Sequence, residues 1–224
     1  PDTDPDRVMQ AHARIAVLLE ESGASEREVD RAWRLAEMYF EARVHSIGPE
    51  GRHLAATGAL RQLERDVAAF QAQSLDVHNL KEDIYAKGAD LQAIEERSLA
   101  LIRDFTDFET ASAARHLAGV SWLALLDMVE AVPASLPFGE DEADLSRLLL
   151  NDWLFVLESK ARERLEGNLT LAAQARRWSV WQSRSLAELA RRFPGEFVDA
   201  RQEIRGGVES RAVKSAGPVQ VRRK

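Results

Sequence analysis

Four residues near the first third of the chain have the types and spacing of metal ligands: Glu41, His45, Glu50 and His53. Glu41 and His45 stand four apart and Glu50 and His53 three apart, so each pair shares one face if its segment is helical. Paired Glu-x-x-His motifs build di-iron centres in helical bundles, but such centres need two further carboxylates deep in the bundle. Here the four flank Gly48-Pro49, a helix-ending pair. The competing expectation is ordinary solvated charge beside a turn, and no cofactor is called for.

Asp152 lies in "LLLNDWLFVL", and its neighbours three and four positions away are Leu148, Leu149, Phe155 and Val156. Asp144, Arg147, Asn151 and Glu158 share another, polar face. A carboxylate on an apolar face is either paired with a base from another helix or held with a raised pKa. Asp152 is therefore the candidate buried functional carboxylate. The alternatives are a structural bond between helices or exposure at an interface edge.

A third group interleaves Trp178 and Trp181 with Arg176, Arg177, Arg184, Arg191 and Arg192. Tryptophan and arginine together can stack on bases and neutralise phosphates, or seat a helix on an anionic membrane surface. Tryptophans three apart with a rim of arginines also describe a helix with its aromatic face in the core. Farther on, Arg222, Arg223 and Lys224 close a tail in which Glu209 is the one acidic residue after position 207. The tail, with Arg176, Arg177, Trp178, Trp181 and Arg184, is the candidate anion-binding region.

Other chemistry is missing. With no cysteine, disulfides, thiolate metal sites and cysteine nucleophiles are excluded. No Gly-rich phosphate loop, nucleophile elbow or zinc-ligand spacing occurs. The carboxylates of "GEDEAD" at 139–144 resemble a Mg²⁺-binding cluster, yet a helix N-terminus favours acidic residues anyway. No residue is assigned a catalytic role.

The elements that must position these residues all read as helix. Ala, Leu, Glu, Arg and Gln dominate, and no stretch alternates in the β manner. Asp4-Pro5 opens one helix and Gly23 stops it; Ser25 and Glu28 make a capping box for the next. Residues 50–87 read as one long helix with a heptad seam through Leu60, Leu63, Val67, Phe70, Val77 and Ile84, ended by Gly88. Residues 90–132 resume, with a break near 106 and a capping box from Thr106 and Glu109. Residues 140–166 form a helix closed by Gly167. Thr170 caps another through "LAAQARRWSVWQSRSLAELARR", and a short one covers 195–205.

The expected fold is all-α: an antiparallel bundle of six to eight helices, some long and coiled-coil-like, with a disordered basic tail. Its parts are a hairpin over 1–48, a long-helix bundle over 49–132, a C-terminal helical segment over 138–205 packing on the same bundle, and the tail over 206–224. The most apolar long stretch, "HLAGVSWLALLDMVEAVPASLPF" at 116–138, is interrupted by Asp127, Glu130 and two prolines. A span needs about 20 apolar residues almost free of charge, so this is a central bundle helix with one wet edge. Ala111, Ser112, Ala114, Ala118 and Gly119 let a neighbour approach closely.

The net charge of −7 hides a gradient. Residues 1–159 carry 15 Lys and Arg against 30 Asp and Glu; residues 160–224 carry 15 against 7. Two surfaces with different partners, or two ends that attract each other, would use such a polarity. The chain begins "PDTDPDRV", without a basic and apolar signal segment and without Met. Either Met was removed or the chain is a piece of a longer protein; a cytoplasmic location is expected.

Three functions fit. The first is a non-enzymatic helical scaffold, adaptor or chaperone-like protein, binding a protein partner or its own copies through helical faces. The second is nucleic-acid or anionic-surface binding through the C-terminal region. The third is an enzyme or small-molecule sensor with a pocket near Asp152.

Overall fold

The computed structural model describes residues 4–132 and 140–197. These form seven α-helices: α1 Pro5–Glu21, α2 Glu26–Arg43, α3 Pro49–Gln71, α4 Leu80–Asp104, α5 Phe108–Glu130, α6 Glu140–Ala175 and α7 Val180–Arg192. A 3-10 turn, Val77–Asn79, precedes α4, and the described residues contain no strand. The chain is an all-α helical bundle. Pro133, Pro137 and the tail with Arg222, Arg223 and Lys224 lie outside the described residues.

The first two helices begin and end as their residues dictate. Asp4 accepts a hydrogen bond from the Asp6 N–H, and Pro5 takes the first helical position. Gly23, at φ 71°, closes α1: its N–H donates to Glu20 O and the Ala24 N–H to Leu19 O, the paired bonds of a Schellman cap. Ser25 and Glu28 then form the capping box of α2.

Several boundaries differ from the sequence reading. Residues 50–87 are not one helix. The apolar seam lapses at Gln71–Ser74, α3 ends there, and Asp76 starts the next turn by accepting from the His78 N–H at 2.9 Å. Gly88 lies inside α4, where a Cβ would stand 3.7 Å from the Trp153 ring. Asp107, not Thr106, caps α5, accepting from the Thr110 N–H at 2.9 Å. Gly167 does not end α6, and Thr170 does not cap a new helix; its hydroxyl donates back to Glu166 O. The helix expected over 170–192 instead breaks at 176–179, between α6 and α7.

Helix α5 occupies the centre and packs against α3, α4, α6 and α7. Ala114, Leu117, Leu123, Leu125, Leu126 and Val129 are buried, while Asp127 and Glu130 keep a wet edge facing Arg191 and Arg192 of α7. At Gly119 a Cβ would meet Leu165 Cδ2 at 2.6 Å, so glycine sets how closely α5 and α6 approach. Among the described residues no helix is long and apolar enough to cross a membrane.

Polar clasps join the helices around one continuous apolar core. The Glu20 carboxylate of α1 accepts from Trp33 Nε1 of α2 at 3.0 Å and pairs with Arg61 of α3. One Asp6 oxygen accepts from the N–H groups of Gly48 and Gly51, both at 3.0 Å, so α1 caps the start of α3 from a distance. Glu95 of α4 accepts from Trp122 Nε1 of α5 and pairs with Arg164 of α6.

Candidate interaction surfaces

The metal candidates do not converge. Glu41, His45, Glu50 and His53 are all exposed around the α2–α3 turn, and among the described residues no group of three or more acidic or histidine side chains could hold an ion. Arg52 organises that turn instead, donating to the carbonyls of Val44 at 2.6 Å and Ile47 at 3.1 Å.

Asp152 is exposed, which overturns its reading as a buried carboxylate. Its neighbours are apolar as expected, but the face they share points outward. Helix α6 buries Leu150, Leu157, Ala161 and Leu165. At 100° per residue, Leu145, Leu148, Asp152, Phe155 and Val156 lie on the opposite side. All four apolar members are largely uncovered: Leu145 69 %, Leu148 62 %, Phe155 76 % and Val156 48 %. The result is an apolar stripe centred on a carboxylate, flanked on one side by the exposed polar face of Asp144, Arg147, Asn151 and Glu158.

Asp152 lines neither of two open clefts found between the described helices. One, about 510 Å³, lies between α5, α7 and the turn after α3, with Asp127, Glu188 and Arg191 on its rim. The other, about 470 Å³, lies between α4, α5 and α6 and is lined by Tyr85, Trp122 and Trp153. Glu95 also borders it, but its oxygens are taken by Trp122 and Arg164.

The two tryptophans part company at the α6–α7 break. Trp181 is half-buried, its ring centroid 5.5 Å from that of His116, with the Arg184 guanidinium 4.5 Å from its face. Trp178 is exposed, its Nε1 donating to Ser183 Oγ at 2.9 Å. Arg177 lies 4.7 Å over Phe108 of α5. Among the described residues Arg176, Arg177 and Arg184 have no carboxylate partner, whereas Arg162, Arg164, Arg191 and Arg192 are all paired. Arg191 and Arg192 thus serve the fold; the other three arginines face solvent.

Behind this turn lies a buried polar network that the sequence reading missed. Gln182 donates to Ser112 Oγ at 2.7 Å and Asn168 Oδ1 at 3.0 Å. Asn168 donates to Ser185 Oγ at 2.9 Å, and that hydroxyl stands 3.1 Å from His116 Nδ1. Ser185 Oγ thus links Asn168 of α6 to His116 of α5. Burial, and then the charge of Arg184, push the His116 pKa down to about 4. Ser185, Asn168 and Gln182 are fully enclosed, so no substrate reaches this serine–histidine pair. The network fixes the registry of α5, α6 and α7. One signal for it was available: Ser112 and His116 stand four apart within the apolar face of α5. Compared with known proteins, the chain matches no family model, no curated protein and no solved structure.

Proposed function

We propose that this chain is a non-enzymatic helical interaction protein that receives a basic amphipathic helix of a partner protein on the outward face of α6. The observation that carries this reading is the exposed stripe of Leu145, Leu148, Phe155 and Val156 around Asp152. Single exposed apolar residues are ordinary, but a contiguous row rimmed by polar groups marks an interaction site. Residues spaced three and four apart on one helix match the apolar face of a second helix. Charge selects the occupant. A symmetric pairing of two copies centred on the stripe would set Asp152 against its own counterpart, two like charges in a closing apolar contact. A partner helix carrying Lys or Arg at that level pairs with Asp152.

The test uses an 18-residue helical peptide of leucine and lysine at i, i+3, i+4 spacing and its leucine–glutamate counterpart. The lysine peptide is expected to bind at least about tenfold more tightly. Phe155→Ser should weaken it by about tenfold or more, as loss of a central aromatic anchor does, and Asp152→Lys should shift preference toward the glutamate peptide. Equal binding to wild type and Phe155→Ser overturns the proposal. So does a concentration-dependent dimer that Phe155→Ser abolishes, because the occupant is then a second copy.

A further inference from the structure

We infer that the α6–α7 turn is a binding surface for single-stranded nucleic acid, with Arg176, Arg177 and Arg184 on its phosphates and Trp178 as the ring on which a base stacks. The inference stands apart from the α6 stripe and does not rest on it.

Its starting point is a residue in the wrong conformation for its type. Arg176 has φ 52°, the single non-glycine residue with positive φ among those described. The Arg176 N–H donates to Ala173 O and the Arg177 N–H to Ala172 O, the same pair of bonds that closes α1. The two helices end in the same motif, but α1 places Gly23 at the left-handed position and α6 places an arginine there. Glycine meets that backbone without the Cβ clash an arginine incurs. Local strain of this kind concentrates at functional positions, and here it falls on an exposed arginine next in the chain to Arg177.

The surroundings supply the rest. Residues 171–187 contain these three arginines and no acidic residue. The faces of Phe108 and Trp181 hold two of the guanidiniums without neutralising them. The hydrogen bond to Ser183 fixes the Trp178 indole while 41 % of the residue stays exposed. A fixed ring beside uncompensated arginines is the arrangement that binds single strands without reading sequence. An anionic membrane would favour a broader apolar surface to insert; beside Trp178 this turn exposes only Val180 among large apolar residues.

The experiment measures full-length protein against labelled dT12 and U12 by fluorescence polarisation, with phosphatidylserine-containing vesicles in parallel. Contacts to three phosphates give a log–log salt slope near −2, so affinity should fall about twentyfold from about 50 to about 200 mM salt. Arg176→Gly should reduce the slope to near −1.4 and weaken binding, yet leave Tm unchanged or higher, because glycine relieves the strain. A merely structural Arg176 would not separate those two readouts. Trp178→Ala should weaken binding by about tenfold, and Arg177→Ser should act like Arg176→Gly on the slope. Absence of oligonucleotide binding at the lower salt overturns the inference. Binding to vesicles with no binding to dT12 or U12 also overturns it. Binding insensitive to Arg176→Gly and Trp178→Ala, but lost when Arg222, Arg223 and Lys224 are all replaced by serine, assigns the anion to the tail and overturns it as well.

Discussion

His116 sits where protonation is costly. Its folded pKa, about 4, lies below the ordinary histidine value of 6.5, so folding favours the neutral form. The stability it contributes is complete above the unfolded pKa and is lost as pH falls from 6.5 through 4. The fold should be about 2 kcal/mol weaker at pH 5 than at pH 7 on this account. Urea denaturation at the two pH values checks it, and His116→Gln should flatten the difference. The site was hard to read because its members carry no charge pattern. Ser112 reads as a small packing residue, and Asn168 sits beside a glycine that resembles a helix end. Asp152 failed for the opposite reason. Leu148, Leu149, Leu150, Trp153, Leu154, Phe155, Val156 and Leu157 surround α6 with apolar side chains. Periodicity cannot choose the inward side of such a helix, because the choice is made by α4 and α5.

At the scale of the helix, glycine separates what the pattern shows from what packing adds. Gly88 and Gly167 read as helix ends, yet both stand inside helices with ordinary room for a methyl group, the nearest atoms being Trp153 Cη2 at 3.7 Å and an Arg115 nitrogen at 3.6 Å. Gly58 and Gly119 sit in helices too, but a Cβ there would collide with the Trp33 ring and with Leu165. The same substitution should therefore change sign. Gly88→Ala and Gly167→Ala should each stabilise by about 0.5 to 1 kcal/mol from helix propensity. Gly58→Ala and Gly119→Ala should each destabilise by about 1 to 3 kcal/mol through overpacking. Thermal denaturation of the four variants tests both signs. Caps made by neighbouring residues, as at Asp4-Pro5, Ser25 and Glu28, were legible because the whole motif lies within a few residues. The cap that Asp6 supplies to Gly48 and Gly51 was not, because its partners lie 42 and 45 positions away.

Across the whole molecule the helix class and the apolar core follow from composition and period, while the joints between helices come from long-range polar pairs. Glu95 is the clearest of these, since its carboxylate touches α5 through Trp122 and α6 through Arg164. Its side chain is only 14 % exposed. Glu95→Ala should cost about 1 to 3 kcal/mol by leaving a half-buried indole N–H and a guanidinium without their acceptor. Glu95→Gln, which keeps an acceptor for Trp122, should cost less. Chemical denaturation of the two variants ranks them, and equal losses would mean that charge alone matters at this joint.

The continuity of α6 through Gly167 and Thr170 has a geometric consequence. A single 36-residue rod carries Phe155 near its middle and leads straight into Arg176 at its C-terminal end. At 1.5 Å of rise per residue the two positions are about 30 Å apart. The rod works as a spacer: whatever sits on the apolar stripe and whatever meets the arginine turn are kept out of each other's reach, so both can be occupied at once. Had the helix ended at Gly167, a hinge would have stood between them; an unbroken helix instead fixes their separation.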